Sequence, residues 1–233
     1  MLRNPYSRNA SCGKYVLSCK QTFDKNFIEN IWEVNMNKHI KVPFSNNELA
    51  NLEAGDYVYI SGTIYSARDA AHKRMYDAIN ASEYKNEDGK ALFDKNVLPL
   101  DLTDNVIYYL GPTPARDGQV IGSAGPTTSS RMDKYTPLLL EKGLKGMIGK
   151  GKRSKEVIDA IVENRAVYFA AVGGAGALLS KCIKKAEVIA YDDLGTEAIR
   201  KMEIEEFPAI VVVDSKGNNL YDTAVDNYFK GIN

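Results

Sequence analysis

Cysteine is scarce in this sequence: Cys12, Cys19 and Cys182 are the only three. Cys12 and Cys19 are too far apart for a Cys-x-x-Cys pair and Cys182 stands alone, so no disulfide framework is expected. A reducing, cytoplasmic setting is the simplest expectation. Long apolar runs are missing too. Nothing approaches the ~18 residues a membrane span needs, so no membrane role is expected. Net charge is also lacking, since 30 basic residues balance 30 acidic ones. That speaks against a broad nucleic-acid surface, which needs clustered basic groups, but leaves room for a small basic pocket. No repeat and no low-complexity tract interrupts the chain. Acidic residues are absent before Asp24, while Arg3, Arg8 and several serines are present. Such a start fits an organellar transit segment, a poorly ordered tail or an extended start.

What is present is ordinary for a globular protein: 44% hydrophobic and 26% charged residues. A chain of 233 residues buries a core without staples. Residues 1–35 read as an N-terminal extension and 36–233 as one domain. Strands are expected over His39–Phe44 and Tyr57–Ser66, where β-branched and aromatic residues dominate. Ala67–Ile79 has helical periodicity, and Asn80–Lys95 is polar and reads as a loop. A strand ending at Leu110 leads into a Gly/Pro-rich loop. A helix is expected from about Thr127 to Lys142, stopped by Gly143. A short buried strand at "KGMIG" precedes a helix over Ser154–Arg165, with Ser154 as N-cap. "AVYFAAVG" reads as a central strand and "GAGALLSKCIKK" as a helix. "AEVIAYDDLG" reads as a strand, "IRKMEIEEF" as a helical or extended piece and "PAIVVVDSKGNNLY" as a hairpin-like end. Strand and helix alternate through the second half, which favours α/β with parallel pairing.

Four glycine- or arginine-bearing stretches raise chemical questions. "GGAGALL" (Gly173–Leu179) follows an apolar strand, but its spacing is not that of a dinucleotide fingerprint and close packing explains it more cheaply. "GMIGKGKRS" fails as a P-loop, because Leu144 and Gly151 stand where a glycine and a Ser or Thr are required. What remains is Lys150 between two glycines, where backbone and ammonium could approach a ligand; the alternative is a solvated basic turn with Lys152 and Arg153. In "YSARDAAHKRM", Arg68 stands at a strand–helix junction suited to clamping a carboxylate. His72, four residues on, has no second metal ligand nearby and reads as structural. In "GSAGPTTSSRMDKY", a helix starting near Thr127 would offer free amides to an anion. Thr127 and Arg131 would then share a face, with Gly122 and Gly125 keeping side chains clear. The plainer reading is a hydroxyl-capped helix with a surface arginine. Three anion-friendly stretches in one chain favour a pocket for a small acid with two carboxylates.

"GDYVYISGTIYSARDAAHKR", "YYLGPTPARDGQVIGSAGPTTSSRMDKY" and "GMIGKGKRS" together resemble the class I iron–sulfur fumarate hydratases, in their C-terminal domain or β subunit. The likeness runs over roughly residues 38–221, and the tartrate dehydratase β subunit shares much of it. The resemblance implies an α/β fold, a swivelling β/β/α domain with mixed sheets and flanking helices. It implies a hydro-lyase of the tricarboxylic acid cycle that interconverts fumarate and malate, active only with an α subunit. That partner would hold a [4Fe–4S] cluster, and this chain would ligate none of it. Arg68 and Arg131 resemble the family's dicarboxylate-binding arginines, Lys150 its active-site lysine and Thr127 its proposed base. The residues leave open which of Thr127 and Lys150 takes the proton. A hetero-oligomer is expected, or a homodimer of β subunits in isolation. The alternatives are a tartrate dehydratase β subunit, a non-catalytic dicarboxylate-binding or assembly module, and, more weakly, a nucleotide binder.

Overall fold

The computed structural model describes residues 38–45, 48–85 and 91–224, all within one unit, Asn37–Asn233. The N-terminal extension expected over 1–35 lies outside the described residues, as do Cys12 and Cys19. Strands β1 (Lys38–Val42), β2 (Tyr57–Ser66), β5 (Val106–Tyr108), β6 (Gly146–Gly149) and β7 (Val167–Ala170) run parallel in that order. β9 (Ile199–Val213) runs antiparallel to β7, to β2 and to the outer strand β8 (Ile183–Ala190). Because β9 pairs with both β7 and β2, the strands β2–β5–β6–β7–β9 close a ring. The fold is thus a mixed, barrel-like sheet flanked by helices, as the α/β expectation held.

Period-two alternation sorts the side chains of these strands into two cores. Val58, Ile60, Ile64, Val106, Tyr108, Ile148, Val167, Phe169 and Val211 pack in one cluster with Phe44, Leu52 and Leu179. Ile107, Tyr109, Met147, Tyr168 and Val212 point the other way. They pack beneath helices α1 (Asp69–Ser82), α2 (Thr136–Glu141) and α3 (Lys155–Glu163), through Met75, Leu139, Leu140, Val157 and Ile161. Ser154 does cap α3, its Oγ accepting from the Val157 amide at 3.4 Å.

Several expected elements differ, each for a non-local reason. The polar stretch 80–95 is no plain loop: α1 runs on to Ser82, and β3 (Glu83–Lys85) pairs antiparallel with β4 (Ala91–Phe93). Helix α4 (Gly176–Cys182) stops early, because Ile183 joins β8 instead. "IRKMEIEEF" and the start of "PAIVVVD" form one 15-residue strand rather than two units. Its apolar alternation changes phase, Met202 and Ile204 giving way to Phe207, Ala209 and Val211. The register explains why: Ile60 and Gly62 of β2 face Phe207 and Ile204, so β9 carries one extra residue there. Only a turn from Asp214 to Asn218 and one bridge, Val213 to Asn219, remain of the expected hairpin.

Candidate functional site

The helix expected from Thr127 does not form. Pro126 bridges Leu110, the Thr127 amide donates to the Tyr109 carbonyl (2.8 Å), and the Lys150 amide donates to the Thr127 carbonyl (3.3 Å). The Ser129 amide completes the pattern on the Lys150 carbonyl at 2.9 Å. Residues 126–128 are therefore a short extended wedge between the diverging C-terminal ends of β5 and β6. A 3-10 turn, Ser129–Met132, follows and carries Arg131. The Thr127 amide is consumed by β pairing, so it offers nothing to an anion, and Thr127 and Arg131 are not one helical turn apart. The hydroxyl-rich sequence suggested capping, but pairing to strands distant in sequence outweighs local preference. Gly122 is likewise not clearing space for a ligand: a Cβ there would lie 2.2 Å from the Thr113 carbonyl oxygen. Close packing does explain "GGAGALL", though against a loop and not a strand, since a Cβ on Gly176 would meet Ser123 Oγ at 2.3 Å.

The wedge nevertheless gathers the four candidate residues along one rim. Arg68 follows the C-terminal end of β2, Lys150 follows that of β6, and Thr127 sits between β5 and β6. The carboxyl ends of parallel strands are where such sheets bind ligands. Thr127 and Lys150 meet through their backbones, and Lys150 is exposed with its stem toward Gly173 beyond β7. Arg68 and Arg131 meet through a carboxylate the sequence reading gave no role, Asp69. Its Oδ2 accepts from Arg131 Nη2, and its Oδ1 lies 3.7 Å from Arg68 Nε. Glu197, from the 3-10 turn Asp192–Glu197 between β8 and β9, was missed as well. It lies 3.2 Å from Arg68 Nη2 and accepts from the Ala70 amide at 3.1 Å. Its distance in sequence left no signal to find it by. Arg68 also crosses Gly111, where a Cβ would come within 2.5 Å of Nη1. That glycine is needed for the close approach of the side chain.

Buried polar atoms without a hydrogen-bond partner mark the same place. Among the described residues they are Ser66 Oγ, Arg68 Nε, Asp69 Oδ1, His72 Nε2 and Asn105 Oδ1. Four of the five fall in the seven residues 66–72, at the end of β2 and the start of α1. Native interiors rarely leave such groups unpaired, which sets this strand–helix junction apart from the rest of the described fold. His72 is fully buried, and its Nδ1–H donates to the Arg68 carbonyl at 2.8 Å. Burial pushes its pKa down to about 4, against the pull of that hydrogen bond, and nearby Arg153 lowers it further. It is a neutral, structural histidine, as read from the sequence.

Beneath the rim lies a buried cation, Arg153, which one of the two sequence readings of this stretch puts in a solvated turn. The Arg153 side chain has no exposed surface; its Nε donates to Asp133 (2.7 Å) and its Nη2 to Thr136 Oγ1 (2.8 Å). Its guanidinium lies 5.0 Å from the Tyr168 ring centre and 5.3 Å from that of Tyr109. Tyr168 donates its hydroxyl to the Gly151 carbonyl at 2.9 Å and lies 2.8 Å from Ser129 Oγ. Burial raises the Tyr168 pKa well above the ordinary tyrosine range, which keeps that donor protonated. Ser129 reaches it by nesting on Gly149, where a Cβ would lie 2.1 Å from Ser129 Oγ. The network thus ties the Lys150 turn to the turn bearing Arg131. Among the described residues no group of three or more His, Cys, Asp or Glu side chains is gathered to hold a metal. No helix there is long and apolar enough to cross a membrane.

Comparison with known proteins bears on this rim. The family described as "Fumarase C-terminus" matches residues 14–224, which begins earlier than the likeness read from residue 38. Fumarate hydratase 2 of Leishmania major is 37% identical over 75% of this chain and 29% of its own length. The anaerobic class I fumarate hydratase of Escherichia coli (strain K12) is 37% identical over 83% of this chain and 33% of its own. The putative L(+)-tartrate dehydratase subunit beta of Methanocaldococcus jannaschii is 33% identical over 80% of this chain and 92% of its own length. The chain spans about a third of the curated fumarate hydratases it matches, but nearly all of the tartrate dehydratase subunit.

Proposed function

Since the chain belongs to the fumarase C-terminus family, we propose that it is the β subunit of a hydro-lyase interconverting fumarate and malate. In this reading it holds the dicarboxylate and moves the proton, while an α subunit carries a [4Fe–4S] cluster. The observation that carries the reading is the rim itself: two guanidiniums joined through one carboxylate, beside a threonine and a lysine joined through their backbones.

In the dehydration direction a proton leaves the carbon next to a carboxylate, and that carboxylate gains negative charge. Fixed cations bind the more charged species better than the ground state, which is what lowers a barrier. Arg68 and Arg131 offer planar forks that match a carboxylate's two oxygens. A threonine acts as a base at neutral pH only where positive charge stabilises its alkoxide; Arg131 lies four residues on and Lys150 pairs with Thr127 through the backbone, its amide donating to the Thr127 carbonyl. Lys150 is the alternative base. A cluster held by the partner would supply Lewis acidity, while the residues of this chain hold the dicarboxylate and the proton.

A tartrate dehydratase is the second reading, favoured by the match over 92% of a putative L(+)-tartrate dehydratase subunit beta. Anaerobic mixing with a cluster-bearing α subunit separates the two by the rates on malate and on tartrate. Turnover in the mixture and in neither part alone is expected; no turnover of either substrate would overturn the reading. Thr127→Ala and Lys150→Met should each lower turnover by at least ~10²-fold in that mixture, the scale of an acid–base group. A near-wild-type rate removes the residue from the mechanism.

A further inference from the structure

Asp69 opens α1, where a carboxylate is already favoured by the helix dipole. Its contacts ask for more than that. One oxygen takes a hydrogen bond from Arg131, and the other is buried and unpaired, 3.7 Å from an Arg68 Nε that is buried and unpaired as well. The two arginines are held very differently. Arg68 is 18% exposed and fixed by Glu197, by Asp69 and by its passage over Gly111. Arg131 is 47% exposed, and Asp69 is its ion-pair partner among the described residues. A free arginine side chain samples many rotamers and loses them when it grips a ligand. A carboxylate that orders it beforehand removes part of that cost. The same carboxylate offsets the repulsion between two neighbouring guanidiniums.

We propose that Asp69 is a positioning residue: it holds the Arg131 guanidinium beside that of Arg68 and so sets the spacing of the two forks that receive a dicarboxylate. The inference rests on the dicarboxylate reading above, and its test has one arm that does not. In the full chain carrying ¹⁵N-labelled arginine, rotation about the Arg131 Cζ–Nε bond should be restricted. Asp69→Ala should free it, and Asp69→Asn, which keeps an acceptor, should fall between. In the reconstituted complex, Asp69→Ala should raise KM for malate by about 3- to 10-fold, the cost of ordering one long side chain, with a smaller effect on kcat. Asp69→Asn should recover part of that rise. Unchanged rotation of Arg131 in Asp69→Ala, or an unchanged KM, overturns the proposal. So does a loss of thermal stability with neither readout moved, which would leave Asp69 a helix-start residue only. If the wild-type complex turns over neither malate nor tartrate, the functional reading falls, and the rotation measurement alone decides whether Asp69 holds Arg131.

Discussion

His72 shows what one buried side chain contributes beside a rim of charge. Its Nδ1–H fixes the Arg68 carbonyl, and its ring packs edge-on against Tyr109, 5.2 Å between centres. Asp69 and Arg153 are the charged groups that act on it, pulling in opposite directions. The folded value of about 4 lies below the ordinary 6.5, so between those values the unfolded chain binds a proton that the folded chain refuses. The stability His72 contributes is complete above pH 6.5 and drains away as pH falls through about 4, by on the order of 3 kcal/mol in full. Denaturant unfolding of wild type and His72→Asn, which keeps a donor near the Nδ1 position, should therefore converge in slope above pH 6.5. Between pH 6.5 and 4 the wild type should lose stability more steeply. At this scale two backbone placements were legible, Arg68 at a strand–helix junction and Lys150 at a strand end. The carboxylates were not: Asp69 reads as an ordinary first-turn acid, and Glu197 lies 129 positions beyond Arg68.

Among elements, the wedge at residues 126–128 and the turn at 149–153 depend on one buried ion pair. Arg153 holds Asp133, whose other oxygen accepts the Ser154 amide at 2.8 Å at the start of α3. Removing one member of such a pair strands the other charge in the interior, which costs far more than the pair itself contributes. Arg153→Met should destabilise the chain by about 3–5 kcal/mol in urea unfolding, and adding Asp133→Asn should restore part of that. Additive losses would mean the two side chains act apart. The sequence pattern resolved elements where local periodicity decides them, as for α3 with its Ser154 cap and the strand Tyr57–Ser66. It failed where a distant strand decides. "PTTSSRM" carries every local mark of a helix start, yet Tyr109 and Lys150 draw its backbone into extended pairing.

For the whole molecule, everything hangs on closure of the ring by β9. That strand faces β2 from Tyr57 to Ser66, and also pairs with β7 and β8. Its extra residue lies near Glu206, which adopts φ of 49° and whose amide donates to Ser61 Oγ at 3.0 Å. The bulge keeps Phe207, Ala209 and Val211 on the same core side as Met202 and Ile204. A strand slipped by one residue turns its apolar set to the other face, so the bulge cannot be removed without moving one half of β9 out of register. Deleting Glu206 should therefore abolish cooperative unfolding and the near-ultraviolet signal of the packed aromatics, Phe207 against Tyr108 among them. Deleting Asp117, in an exposed turn of the 111–123 loop, should leave both in place. If the Glu206 deletion folds with native cooperativity, the two halves of β9 are independent, in line with the two separate units expected there from the sequence. The rim of Arg68 and Lys150 would then owe its shape to the parallel strands alone.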